Sequence, residues 1–154
     1  MHVRVDYPSS EEERDILRLT RGEALQEQTH SNIELLSQNA IMDLRKEVLD
    51  IHMNDNVEEY LVQLVMATRH PEKYSPQLGT WIQYGASPRA TISLDRCARA
   101  HAWLNQKDFV GPDDIQAIAH DVLRHRIIIS YEAEAEGIDT DQAISEILKL
   151  VPVA

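Results

Sequence analysis

From Asn54 to Thr68 the chain repeats its apolar side chains at helical spacing: Val57, Leu61, Leu64 and Val65, with Thr68 in step. Asn54 stands where a helix N-cap belongs. A stripe of this kind lies on one face of a helix and must be covered by another element. Aromatic residues make up only 5% of the 154 residues while 43% are hydrophobic, so the covering core is built from Leu, Ile, Val and Ala. That composition favours packed helices over a sandwich of aromatic and β-branched strands. The expected class is mainly α, a helical bundle with two or three short β-strands.

Further segments extend the pattern. His2 to Asp6 alternates like a strand but has no neighbouring strand to pair with. Tyr7-Pro8 ends it. Ser9 with Glu12 is a capping box opening a helix to about Leu19. Gly22 to Asn32 carries no period and reads as a loop. Ser37 opens a helix with Ile41, Leu44 and Val48 on one face, followed by an extended piece, Ile51-His52-Met53. Arg69 to Tyr84 reads as a long connection anchored by Trp81 and Tyr84. An alanine-rich helix is expected from Pro88 to about Gln106, and a turn from Lys107 to Gly111. Pro112 starts a helix whose buried stripe is Ile115, Ile118, Ala119, Val122 and Leu123. Ile127 to Tyr131 reads as a strand that could pair with Ile51–Met53. Glu132 to Gly137 reads as a turn, and Asp141 to Leu150 as a helix with Ile144, Ile147 and Leu148 inward.

Charge and motifs remove several functions. A net charge of −11 opposes a general nucleic-acid or anionic-membrane surface. No apolar run approaches the roughly 18 residues of a membrane span, and no signal peptide is visible, so a cytoplasmic setting is expected. The single cysteine, Cys97, provides neither a disulfide nor a cysteine-rich metal site. It reads as a small apolar residue. There is no Gly-Lys pair for a P-loop, no HExxH and no Gly-x-Ser-x-Gly elbow. His120 and His125 are five apart, roughly 140° around a helix, and cannot share a metal within it. The seven histidines therefore read as structural or surface residues. No catalytic residue and no metal site are expected in this chain.

One cationic feature stands out. Gly85-Ala86-Ser87-Pro88-Arg89 reads as a helix start, with Ser87 as cap and Pro88 in the first turn. Arg89 then faces the positive end of the helix dipole, which disfavours a cation and favours an anion such as phosphate. A well-capped helix carrying a solvated arginine is the alternative. Arg96 lies on the same face and Arg99 adjoins it; salt bridges to neighbouring carboxylates are expected for both.

Taken in order, HVRVDYPSSEEERDIL, VEEYLVQLVMATRHPE, YGASPRATISLDRCARAHAWLNQKDFVGPDDI and HDVLRHRIIISYEAEAEGI resemble the C-terminal part of MoxR-type AAA+ ATPases. The resemblance covers nearly the whole chain and is least distinctive over Gly22 to Leu36. It implies residues 1–8 as a residual strand and hinge from an AAA+ α/β core, and 9–154 as a helical lid. It implies that Arg89 is the sensor-2 residue directed at the γ-phosphate of ATP, and that Tyr7 and Pro8 lie in the hinge near the adenine. ATP and Mg2+ are implied for the full-length parent, with neither expected on this chain alone. The chain by itself is expected to be inactive, since the P-loop and the magnesium-binding acidic pair would lie upstream. Implied partners are its own core, neighbouring subunits of a homo-oligomeric ring, and a client protein undergoing chaperone-like remodelling or maturation. Proteins with a von Willebrand A-type domain are associated with the family. No nucleic acid and no membrane insertion are expected. A stand-alone helical protein-interaction module is the alternative function.

Overall fold

A computed structural model describes residues 1–25 and 36–153. The described elements are α1 (Ser10–Ala24), α2 (Gln38–Asp50), β1 (His52–Met53), α3 (Asp55–Arg69), α4 (Pro76–Trp81), β2 (Ile82–Tyr84) and α5 (Pro88–Leu104). They continue with β3 (Phe109–Val110), α6 (Pro112–Leu123), β4 (Ile128–Ile129), α7 (Tyr131–Ala135) and α8 (Thr140–Leu150). The fold is mainly α, as its periodicity requires.

Local chemistry sets most helix starts. Ser9 and Glu12 form the expected capping box of α1, and Ser37, Asn54, Ser75 and Ser130 accept from first-turn N–H groups of α2, α3, α4 and α7. Asp139 and Gln142 form a second capping box on α8. At the other end of α5, Gln106 takes φ 57°, the left-handed turn that stops the helix.

The core is built around α5, which packs against α6, α3 and α2. Its inward face is Ala90, Leu94, Ala98 and Ala102, all buried. Three alanines in four positions let neighbouring backbones approach closely. All five residues of the expected α6 stripe are buried, as are Leu61, Leu64 and Val65 of α3 and Ile144 and Ile147 of α8. Ala98→Leu forces three extra heavy atoms into this contact. We expect a loss of about 2 kcal/mol, the scale for overpacking, read as a lower urea midpoint with an unchanged slope.

The strands depart from expectation. Ile128–Ile129 does not pair with His52–Met53. Instead β1 pairs in parallel with β3, and β2 pairs antiparallel with β4. Two-residue strands carry too little pattern to choose a partner; packing of the flanking helices chooses for them. The 69–84 connection is not a bare loop, because it holds a 3-10 turn at Pro71–Lys73 and helix α4. The Glu132–Gly137 turn is largely α7. Helix α1 runs past Leu19 to Ala24. Of the expected 22–32 loop, 22–24 are helical and 26–32 lie outside the described residues.

Residues 1–9 adopt no strand. A strand is defined by its ladder, and this segment has no partner strand among the described residues. It is held near its start, where His2 N–H donates to Asp121 O at 2.7 Å and Arg124 Nη1 donates to His2 O at 2.7 Å.

Candidate functional site: the loop that enters helix α5

The loop from Gly85 to Ser87 joins β2 to α5 and is built against the last turn of α3. Ala86 N–H donates to Thr68 Oγ1 at 2.9 Å, and Thr68 Oγ1 itself donates to Val65 O at 2.7 Å. The Ala86 carbonyl accepts from Arg69 Nε at 2.8 Å. Thr68 is 0% exposed and Ala86 is buried. A side chain at Gly85 has no room, since a Cβ there falls 2.2 Å from Thr68 O. On the strand side, Ile82 and Tyr84 of β2 pair with Ile129 and Ile128 across a register shift. Ser130 N–H donates to Trp81 O at 2.8 Å, and its hydroxyl donates to Thr80 O at 2.7 Å.

Ser87 occupies the N-cap position, but its side chain makes no capping hydrogen bond, contrary to expectation. The first turn closes on the backbone instead, with Ala90 N–H donating to Ser87 O at 2.8 Å. Pro88 has no N–H to satisfy. Among the described residues α5 is the one α-helix that starts without any side-chain hydrogen bond at its N-terminus.

Arg89 is exposed in this first turn and forms no ion pair or side-chain hydrogen bond among the described residues. The other arginines of α5 differ. Arg99 donates through Nε to Asp95 Oδ1 at 2.8 Å, as expected, and through Nη1 to the carbonyls of Leu49 and Ile51. It thereby satisfies carbonyls at the end of α2. Arg96 makes no salt bridge among the described residues, which corrects the expectation; it lies beside Ile41, Leu44, Val48 and Ala100 in the cleft between α2 and α5. Its alkyl stem covers apolar surface there.

Tyr7 is 100% exposed and Pro8 is exposed; no hydrogen bond joins either to the Arg89 loop. Trp81 packs against the core while Tyr84 is exposed. The half-buried Cys97 thiol is pushed up by burial, opposite to what a nucleophile needs. His120 Nε2 lies 3.1 Å from Ser145 Oγ, and His125 packs edge-on to His2. Among the described residues no three His, Cys, Asp or Glu side chains converge as a metal site. None of the described helices is long and apolar enough to cross a membrane.

Thr68 and Arg69 were not apparent as site residues in the sequence. Thr68 fell in step with the apolar stripe of α3. The available signal was its hydroxyl, since a polar side chain in a buried stripe needs partners.

A second polar cluster braces the far end of α5. Asp114 is 0% exposed and accepts from Gly111 N–H at 2.8 Å and Lys107 Nζ at 2.9 Å; His101 Nδ1 lies 2.8 Å away. Burial pushes its carboxyl up, but the Gly111 N–H, Lys107 and His101 outweigh burial and hold it below its ordinary value. A depressed folded pKa contributes stability above the unfolded value, lost as pH falls through the folded one. Asp114→Ala should cost about 2 kcal/mol, at the lower end for a buried charge because Lys107 and His101 can turn to water. Urea unfolding from pH 7 down to pH 2 should show a smaller acid loss in the variant than in the parent.

The fold and this loop-to-helix site define a class: residues 79–147 match the AAA lid domain family. That match runs from α4 into α8 and contains Arg89. Over 98% of its length the chain is 36% identical to the uncharacterized protein YeaC of Bacillus subtilis, covering 44% of that protein. Over 97% it is 33% identical to the chaperone MoxR1 of Mycobacterium tuberculosis, covering 38% of it. A crystal structure of a "putative ATPase" from Cytophaga hutchinsonii superposes with a TM-score of 0.85 at 37% identity, over 99% of this chain and 46% of that one. The chain carries an AAA lid domain of MoxR type, and it spans less than half the length of each of these relatives.

Proposed function

We propose that this lid contributes Arg89 to an ATP site completed by an AAA+ core, as a sensor of the terminal phosphate. The observation that carries the reading is an exposed arginine without a carboxylate partner among the described residues, in the first turn of α5, in a chain with 26 acidic residues. A guanidinium there matches phosphate geometry, and the positive end of the helix dipole favours the same charge. In this reading residues 1–8 join the lid to the core and 9–154 are the lid, with Tyr7 and Pro8 at the hinge. ATP supplies the phosphoryl chemistry, and Mg2+ would be held by the core. Arg89 donates to the terminal phosphate and holds the lid closed; loss of that contact releases it. Neighbouring subunits of a ring would receive the motion, and a client protein would be remodelled, with a von Willebrand A-type partner as one route to it. A cytoplasmic setting suits a chain whose one cysteine is unpaired.

The chain alone lacks a P-loop and should not hydrolyse ATP. One charge-assisted contact contributes about 1.5–3 kcal/mol, less than the roughly 4 kcal/mol of a millimolar complex. Calorimetric titration of the isolated chain with ATP should therefore give no binding tighter than about millimolar. The exposed Tyr84, Ile128 and Tyr131 favour a second reading, a protein-interaction module without nucleotide chemistry. Turnover of an Arg89→Ala variant joined to its core separates the two.

A further inference from the structure

Ala86 is tied at both of its backbone polar groups to consecutive residues of α3. Its N–H goes to Thr68 and its carbonyl to Arg69. The hydroxyl proton of Thr68 is committed to Val65 O, which leaves a lone pair for the Ala86 N–H. Gly85 brings the two backbones closer than any side chain would permit. Between Ala86 and Arg89 lie only Ser87 and Pro88, and the pyrrolidine ring fixes one φ of that short path. The end of α3 and the start of α5 therefore form one rigid unit, and Arg89 stands on it.

We propose that Thr68 and Arg69 are positioning residues for Arg89. They touch no ligand themselves. They hold the loop so that the guanidinium meets a phosphate without first paying for ordering of its backbone, and preorganised groups act most strongly on developing charge. This inference rests on the reading of Arg89 as a phosphate sensor, and it adds two residues and a route by which α3 feels the state of the site.

Two measurements test it. The first is amide hydrogen exchange of Ala86 in the 154-residue chain. Ala86 should be protected in the parent and in Thr68→Ser, and should exchange at least about tenfold faster in Thr68→Val, which leaves a buried N–H without its acceptor. Unchanged protection in Thr68→Val overturns the clamp whatever Arg89 does. The second is ATP turnover by the full-length polypeptide in which this lid is joined to its AAA+ core. Thr68→Val and Arg69→Ala should each lower kcat about tenfold with KM for ATP within about twofold, the pattern for an interaction realised in the transition state. Thr68→Ser should restore kcat to within about twofold of the parent, and Thr68→Val should add nothing to Arg89→Ala, because residues acting through one group are not additive. Full kcat in Thr68→Val beside a crippled Arg89→Ala overturns the positioning role and leaves the sensor standing. Full kcat in Arg89→Ala overturns the sensor and the positioning role together.

Discussion

Arg89→Ala in the full-length polypeptide should reduce ATP turnover by about 10- to 100-fold, the rate equivalent of a charge-assisted hydrogen bond of about 1.5–3 kcal/mol. The stability of the lid should hardly change. Arg89 is exposed and has no ion pair among the described residues, so its removal strands no buried charge. Steady-state kinetics and a thermal melt on the same variant separate the two effects. Arg89→Lys should recover only part of the loss, since an ammonium is a point charge and cannot grip phosphate with a planar fork. Turnover at the parent rate would remove the nucleotide reading and leave the protein-interaction module.

Gly85→Ala should be the most damaging single methyl in the described part of the chain. The new Cβ would lie 2.2 Å from Thr68 O, 2.5 Å from Thr68 C and 2.7 Å from Arg69 Cα. All three are backbone atoms of a helix end, so no side chain can swing aside. Either α3 and the loop separate, which breaks both hydrogen bonds of Ala86, or the strand entering the loop shifts. We expect about 3 kcal/mol of destabilisation, the upper end for forced overpacking, and a fall in Tm of about 6–12 °C for a domain of this size. Gly22→Ala is the control. It has open space around it inside α1 and should be neutral or slightly stabilising. Similar melts for the two variants would show that the close approach at Gly85 is not maintained in solution.

Much of the helical layout is legible without coordinates. The α6 stripe is buried residue for residue, and the stripes of α3 and α8 are buried in large part. The capping box at Ser9 and the cap at Asn54 begin helices where they stand. These features are local, written in spacings of three and four residues and in capping chemistry that a single turn decides. The place of Arg89 in the first turn of α5 is legible for the same reason. Helix α4 is not, because six residues hold less than two turns and give no period to read.

Other features depend on residues far apart in the chain. Strand pairing is not legible because β1, β2, β3 and β4 have two or three residues each, and a stretch that short records no partner. Arg96 was expected to find a carboxylate, but the neighbouring Asp95 is taken by Arg99, which also reaches the end of α2. Ser87 has the side chain of a cap and does not cap, since the loop before it is clamped from α3 and the first turn closes on its own carbonyl.

Spacing and capping in the amino-acid order alone establish a mainly helical chain with an arginine in the first turn of its alanine-rich helix. Which strands meet, which arginines are committed to structure, and what holds the Arg89 loop were settled by packing between segments 17 to 57 residues apart. Helix turns are short-range events, whereas a hydroxyl on α3 can find an amide before α5 only after the core has brought the two together.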